Sequence, residues 1–128
     1  MADGLNKVLL IGNLGDDPTM RYTANGVAVT SFRMAVSRGY TDQQGGRKEE
    51  TEWCSVVAWN KLGELCGQHL AKGRKVYVEG RLSTRSWDAP DGAKRYKTEI
   101  VASTVLFLDK AGERVEEGYS DEDLPFDD

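Results

Sequence analysis

The stretch TEWCSVVAW, at residues 51–59, alternates small apolar side chains with larger ones. Side chains along a β-strand point in turn to the two faces of the sheet. One face therefore carries Cys54, Val56 and Ala58, which suit the narrow interior of a small barrel. The opposite face carries Trp53 and Trp59. Tryptophan is often buried, so either ring could instead lie under a loop or in a subunit contact.

A second stretch, KVYVEGRLSTRSW at residues 75–87, repeats this alternation. Its even positions are core-like: Val76, Val78, Gly80, Leu82 and Thr84. Its outward face carries Arg81, Arg85 and Trp87 among other polar residues. Cations interleaved with flat rings on a barrel surface are typical of single-stranded nucleic-acid binding, because rings stack on bases and cations follow the phosphates.

The rest of the body reads as short strands separated by turn signals. Strands are predicted at residues 6–14, 27–38, 51–59, 75–87 and 94–108. A helix is predicted at 61–71, with Asn60 as its N-cap and Gly73 as a left-handed stop. The fold class is therefore all-β, a five-stranded Greek-key barrel of the OB type with one helix between strands 3 and 4.

The segment GYTDQQGGRKEE, at residues 39–50, is polar and glycine-containing, and it predicts a long flexible loop. Tyr40 heads this loop, with Arg38, Arg47 and Lys48 in or beside it. Such a loop could wrap a nucleic-acid strand, or it could be a solvated loop with an incidental tyrosine. Other cations, each a common surface charge when taken alone, flank the helix and follow the first strand: Lys61, Lys72, Arg74 and Arg21.

Charge divides the chain into a body at 1–108 and a tail at 109–128. The tail holds nine acidic and two basic residues, a net charge of −7, whereas the body carries a net charge of +3. With so few apolar residues the tail cannot offset its ordering entropy, so we expect it to be disordered. Its tip, SDEDLPFDD, places an isolated Leu-Pro-Phe among acids, which favours an interaction role.

Little in the sequence indicates catalysis, a metal or a cofactor. His69, the one histidine, falls on the apolar side of the predicted helix, and Cys54 and Cys66 lack metal-ligand spacing. No phosphate-binding loop or dinucleotide motif is present. The longest early apolar run has four residues, so neither a membrane span nor a signal peptide is expected. We expect a cytoplasmic protein with two reduced thiols and no enzyme activity.

Three stretches of the body resemble bacterial single-stranded DNA-binding protein. They are NKVLLIGNLGDDPTMRYTANGVAVTSFRMAVSR, TEWCSVVAWNKLGELCGQHLAKGRKVYVEGRLSTRSW and DGAKRYKTEIVA, and the resemblance covers residues 5–108. It implies an OB-fold, a homotetramer wrapped by DNA, no catalysis and no cofactor. It places base-stacking aromatics at Tyr40, Trp53, Trp59 and Trp87. Together with the surface pattern it gives these phosphate-binding candidates: Arg21, Lys48, Lys61, Lys72, Arg81 and Arg85.

The resemblance also gives the tail a role in replication, recombination and repair at the nucleoid. In the family an acidic tip ending in Pro-Phe docks proteins of these processes, and here the matching residues are Asp121, Glu122, Asp123, Leu124, Pro125 and Phe126. Asp127 and Asp128 follow Phe126, whereas the family usually ends on the phenylalanine. Lys7, Tyr77 and Glu79 lie where the family makes subunit contacts.

Within its body, this chain departs from the family pattern at three further positions. Ser55 and Ser83 stand where some relatives have arginine, and Cys54 stands where some have histidine. Two other classes stay open at this point. One is an OB-type assembly module whose tryptophans form subunit contacts, and the other is a small enzyme using His69 or a cysteine.

Overall fold

A computed structural model describes residues 3–109 of the 128-residue chain. The predicted tail from residue 110 onward, with its tip at Asp121–Phe126, lies outside the described residues. The elements in chain order are β1 (Val8–Leu14), β2 (Thr19–Tyr22), β3 (Ala28–Thr41), β4 (Arg47–Trp59), α1 (Asn60–His69), β5 (Lys75–Asp88) and β6 (Lys94–Phe107).

Five of these strands close into a barrel. Neighbours around it run β1, β3, β4, β6 and β5, and β5 pairs again with β1. Every pair is antiparallel except β4 and β6, which run parallel at Val56–Ile100 and Val57–Val101. The predicted OB-type barrel, with its helix between the strands now numbered β4 and β5, is confirmed.

The barrel interior is filled by small and medium apolar side chains, as the alternation at residues 51–59 predicted. Val56, Ala58, Val76 and Val78 have no exposed surface. Helix α1 packs against β3 and β4, and the hydroxyl of the buried Thr30 donates a 2.5 Å hydrogen bond to the carbonyl of Gly63. Since a buried hydroxyl is costly unless paired, this bond fixes the helix against the barrel.

The prediction of a long flexible loop at residues 39–50 is wrong. β3 and β4 continue through most of it as a ribbon, with Tyr40 opposite Lys48, and only a tight turn joins them. In that turn the carboxylate of Asp42 accepts hydrogen bonds from the backbone of Gln44 (3.0 Å) and Gly46 (2.8 Å), and Gly45 takes a φ of +85°. Polar cross-strand pairs such as Arg38–Glu50, at 2.7 Å, replace the apolar alternation that sequence reasoning looks for.

The helix boundaries also differ from the prediction. Trp59, rather than Asn60, occupies the N-cap position, and Asn60 begins the helix with a φ of 60°. The helix ends at His69, so Gly73, with its φ of +90°, lies in the turn before β5. No side chain caps the start of the helix, and at its other end the backbone N–H of Leu70 donates to the carbonyl of Cys66.

Two further features were not predicted. β2 is a four-residue strand whose side chains are all exposed, so it carries no apolar signal. Leu82, expected in the core, is 50% exposed. The reason is that β1 pairs with β5 only as far as Val8–Gly80, so β5 and β6 project beyond the barrel as a hairpin.

At the other end of the described chain, Asp109 contacts the barrel. Its carboxylate lies 2.6 Å from Nε of Arg74 and accepts a 3.0 Å hydrogen bond from the backbone N–H of Lys75. Asp109, the first residue of the acidic segment, is therefore held beside the start of β5.

Candidate nucleic-acid interface

Strands β3, β4, β6 and β5 present one continuous outer face. Residues that pair directly across strands share a face. Trp53 pairs with Ala35, Ser55 with Arg33, and Arg85 with Lys97, while Val57 and Val101 connect β4 to β6. We call this surface the aromatic–basic face, and its members include Arg33, Trp53, Ser55, Arg85, Trp87, Lys97 and Glu99.

Trp53 anchors one side of the aromatic–basic face. Its side chain is 51% exposed, and the guanidinium of Arg33 lies over the ring, 4.7 Å from the centroid. Asp16 holds that guanidinium through hydrogen bonds to Oδ2, at 3.2 Å from Nη2 and 3.4 Å from Nε. A cation over a ring is an attractive contact, so the ring is held in place while much of its surface faces solvent.

Trp87 anchors the other side. Trp87 is 42% exposed, and the guanidinium of Arg85 lies 5.1 Å from the centroid of its ring. Nε of Arg85 lies 3.3 Å from Glu99, and Nζ of Lys97 lies 3.8 Å from the other oxygen of the same carboxylate. Each outer tryptophan of this face thus stands beside a guanidinium that also contacts an acid.

A groove of about 360 Å³ runs between these groups. Its lining includes Asp16, Arg33, Ser55, Lys97 and Glu99. It is open and shallow, so it offers a surface along a chain-like ligand rather than an enclosed cavity for a small molecule.

Trp59 extends the same face toward β2. It is 42% exposed and pairs with Val29, which in turn pairs with Arg21 on β2. Adjacent strands lie about 4.8 Å apart, so the backbones at Arg21 and Trp59 are roughly 10 Å apart. The structure therefore brings the predicted Arg21 close to a predicted stacking ring.

Tyr40 is placed differently from the tryptophans. It is 38% exposed, and Arg38 lies over its ring at 5.2 Å. Because it lies an odd number of residues from Ala35, the register puts it on the opposite face of the β3–β4 ribbon from Trp53. Its neighbour across the strand, Lys48, lies 4.0 Å from Asp42. A nucleic-acid strand would have to pass around the β3–β4 ribbon to contact both Tyr40 and Trp53.

The remaining predicted cations are exposed but scattered. Lys61 lies in the first turn of α1, and Lys72 follows the helix, where its backbone N–H donates to Asp17. Arg81 lines a separate small depression together with Lys7 and Glu79. Of the predicted cations, Arg85 reaches the groove through its contact with Glu99, and Arg81 shares the aromatic–basic face through its pairing with Val101. Lys48 lies on the opposite face of the β3–β4 ribbon with Tyr40.

Sequence reasoning missed five charged residues of the groove: Asp16, Asp17, Arg33, Lys97 and Glu99. The alternation that placed Trp53 outward also places Arg33 outward on the preceding strand, opposite Ser55. The same argument applies to Lys97 and Glu99 on β6. The signal was present, but the strand register needed to combine it across the sheet was not available from one sequence.

A second exposed surface lies on β1 and β5. Leu9 is 58% exposed and Ile11 is 39% exposed, and they pair with Glu79 and Tyr77. Glu79 accepts a 2.9 Å hydrogen bond from the Tyr77 hydroxyl and lies 2.8 Å from Nζ of Lys7. We call these five residues the β1–β5 patch.

The hydrogen bonds and the ion pair within this patch shift the pKa values of Glu79 and Lys7. Hydrogen bonds from Lys7 and then Tyr77 lower the pKa of Glu79, and the same Glu79 contact raises the pKa of Lys7. Both side chains therefore stay charged near neutral pH, so the patch presents a fixed ion pair beside two exposed aliphatic side chains.

Other chemistry finds little support in the described residues. Cys54 and Cys66 are free thiols, as expected, and burial raises the pKa of Cys66 to about 12. Between residues 3 and 109, no three histidine, cysteine, aspartate or glutamate side chains are grouped so that they could hold a metal ion. The same part of the chain contains no helix with the length and hydrophobicity of a membrane span.

A closed five-stranded barrel with one helix and an aromatic–basic outer face defines an OB-fold protein. The model of the single-strand binding protein family matches residues 5–108. The chain therefore belongs to the single-strand binding protein family, and the resemblance seen in the sequence is confirmed.

Individual relatives agree with this assignment. Single-stranded DNA-binding protein 1 of Chlorobaculum tepidum is 51% identical over 94% of this chain and 76% of its own length. The single-stranded DNA-binding protein of Xanthomonas campestris pv. campestris is 45% identical over 88% of this chain and 66% of its own length.

Two solved structures share the fold. The Plasmodium falciparum SSB complex with ssDNA has a TM-score of 0.78 at 32% identity, covering 85% of this chain and 99% of that one. A deletion mutant of the single-stranded DNA-binding protein from Thermus aquaticus has a TM-score of 0.75 at 37% identity, covering 88% of this chain and 54% of that one.

Proposed function

We propose that this chain binds single-stranded DNA without sequence specificity and catalyses no reaction. The observation that carries the proposal is the aromatic–basic face, on which Trp53 and Trp87 are each half exposed beside a guanidinium group. The family membership and the complex of a structural relative with ssDNA support the same function.

Stacking explains why such a surface binds single strands of any sequence. Every base has a π-face, and stacking on an aromatic side chain contributes about 1–3 kcal/mol per base. In a duplex those faces are already stacked on one another inside the helix. The rings of Trp53, Trp59 and Trp87 should therefore favour single strands over duplexes.

Phosphate contacts supply the rest of the affinity in this proposal. Arg33 and Lys97 line the groove, and Arg85 contacts its Glu99. The predicted cations Arg21, Lys48, Lys61, Lys72 and Arg81 are proposed as further phosphate contacts along the path of the DNA strand. Each phosphate neutralised on a single strand makes the slope of log affinity against log salt concentration more negative by about 0.7. Binding should therefore weaken steeply as salt rises.

The protein is proposed to act as a homotetramer. The β1–β5 patch supports self-association, because exposed aliphatic side chains beside a fixed ion pair fit a partly polar subunit interface. Several barrels in one assembly would let a strand pass from one aromatic–basic face to the next. A strand that wraps in this way could also pass around the β3–β4 ribbon and reach Tyr40.

Protection of single strands during replication, recombination and repair is the proposed role in the cytoplasm, at the nucleoid. The tip at Asp121–Phe126 is proposed to recruit proteins of these processes. Phe126 would fill an apolar pocket, Pro125 would reduce the entropy lost on binding, and the acids would steer toward a basic rim. Removing residues 120–128 should abolish such recruitment and leave DNA binding intact or slightly tighter, because an acidic tail can compete for a basic groove.

Competition binding tests the proposed function. Fluorescence anisotropy of a labelled oligo-dT would be measured against unlabelled oligo-dT, oligo-dC, RNA of the same sequence and duplex DNA of the same length, at low and high salt. The proposal is supported if unlabelled oligo-dT and oligo-dC both displace the labelled strand and duplex DNA displaces it only weakly. The competition with RNA measures whether the protein distinguishes deoxyribose from ribose. Equal displacement by duplex, or affinity unaffected by salt, would show that the proposal is wrong.

A further inference from the structure

The groove on the aromatic–basic face is lined by three carboxylates, Asp16, Asp17 and Glu99, beside the cations that it would offer to DNA. The side chain of Glu99 is only 13% exposed, and it contacts Arg85 at 3.3 Å and Lys97 at 3.8 Å. Asp16 is 62% exposed and contacts Arg33 at 3.2 Å. All of these residues except Arg85 line the groove directly.

Charge on this surface is therefore largely neutralised before any ligand arrives. Arg33, Lys97 and the neighbouring Arg85 face Asp16, Asp17 and Glu99, so the charges at the groove sum to zero. An arginine has five N–H donors, so Arg85 could contact a phosphate without releasing Glu99. The phosphate would then lie near a carboxylate that is shielded from solvent, where repulsion between like charges is stronger than in bulk water.

Building on the proposed function, we infer that Glu99 and Asp16 are intramolecular competitors of the DNA phosphates. In the free protein their carboxylates hold Arg85, Lys97 and Arg33 in the groove. On binding, phosphates either replace these carboxylate contacts or lie beside the retained carboxylates and are repelled by them. In both cases the carboxylates lower the affinity for single strands and reduce its dependence on salt. The protein therefore releases a bound DNA strand more readily than it would if the groove cations had no carboxylate partners.

The substitution Glu99→Gln tests this inference, because it keeps the size of the side chain and removes the charge. Binding would be measured with oligo-dT of about eight nucleotides, short enough for a single barrel. Affinity should rise roughly two- to fivefold, the range typical of a partly exposed ion pair. The salt slope should steepen by about 0.7 because one more phosphate is neutralised. Glu64→Gln, on α1 and outside the groove lining, is the matched control for net charge.

Two alternative roles for Glu99 predict different DNA affinities for the Glu99→Gln variant. If Glu99 only positions Arg85 and Lys97, Glu99→Gln will weaken binding. If its carboxylate reads bases by accepting their amino groups, the substitution will weaken oligo-dC relative to oligo-dT. Either result overturns the inference, as does an affinity equal to that of Glu64→Gln. Failure of the wild-type protein to bind any single strand would instead show that the proposed function is wrong.

A second variant covers the case in which Glu99→Gln does not fold. Asp16 is well exposed, so Asp16→Asn should preserve the barrel and also raise affinity. The gain should disappear in an Arg33→Gln background, since Asp16 then has no cation to compete for. A gain of the same size with and without Arg33 would mean that general charge is responsible, which overturns the inference.

Discussion

The ring of Trp53 lies directly on the backbone of Gly15. A methyl group built on Gly15 would overlap Cζ3 of the ring and lie 2.9 Å from Cη2. The backbone N–H of Gly15 also donates a 2.9 Å hydrogen bond to the carbonyl of Arg33, whose guanidinium covers the same ring. Gly15 and Arg33 together define where the Trp53 ring stands on the aromatic–basic face.

Gly15→Ala should therefore displace the Trp53 ring and weaken binding of single-stranded DNA. The loss should stay within the roughly 1–3 kcal/mol expected for one stacked base, because the other rings are untouched. Anisotropy titration with oligo-dT measures it. Gly4→Ala is the control, since a methyl at Gly4 meets nothing within 4 Å. Equal affinities for the two variants would show that the ring position does not matter.

Arg33→Lys separates stacking from charge. Lysine keeps the positive charge but lacks the planar group that lies over Trp53 and bonds to Asp16. We expect the affinity for single strands to fall severalfold while the salt slope stays nearly constant. A salt slope that falls by about 0.7 would instead indicate that Arg33 acts as a phosphate contact that lysine cannot replace.

Leu9→Lys tests the role of the β1–β5 patch in assembly. The side chain is 58% exposed in the single chain, so the substitution should not disturb the barrel, but it places a charge in the proposed subunit contact. Sedimentation velocity should show a shift toward smaller species. Tyr22→Lys is a matched control, because Tyr22 is also 58% exposed but lies on β2. An unchanged distribution for Leu9→Lys would place the interface elsewhere.

The two thiols should differ in reactivity. Cys66 has no exposed surface, and burial raises the pKa of its thiol from 9.0 to about 12. The raised pKa means that the thiolate is disfavoured in the folded state, and the thiol should stay protonated until the solution is strongly alkaline. A thiol reagent at neutral pH should thus modify Cys54 slowly and Cys66 only after unfolding. Rapid modification of both in the native protein would contradict this.

Much of the barrel follows from short-range sequence pattern. The alternation of Cys54, Val56 and Ala58 with Trp53 and Trp59 assigned both faces of β4 correctly. In a half-buried strand, core-facing and outward-facing residues alternate along the sequence, so the pattern is visible from one strand alone. The same reasoning failed for the β3–β4 ribbon. There both faces are polar, and pairing depends on cross-strand contacts such as Arg38–Glu50 that no single strand reveals.

The exposed aromatic rings of the candidate site could be predicted from the sequence, but the pairing of its charged side chains could not. Exposure of Trp53 and Trp87 follows from their strands alone. The pairing of Arg85 with Glu99, or of Arg33 with Asp16, requires residues 14 and 17 positions apart to meet, which only the register and the loop after β1 determine. Opposite charges in a sequence do not show which of them will be partners.

Intrinsic tryptophan fluorescence, followed while oligo-dT is added, would be the first measurement to make. The three tryptophans, Trp53, Trp59 and Trp87, are all at least 42% exposed on the proposed binding surface, and the chain has no others. Strong quenching by the single strand, weakened by salt and smaller in Trp53→Ala, is the predicted result. Emission that does not respond to the single strand, or responds equally to a duplex of the same length, would contradict base stacking on these rings.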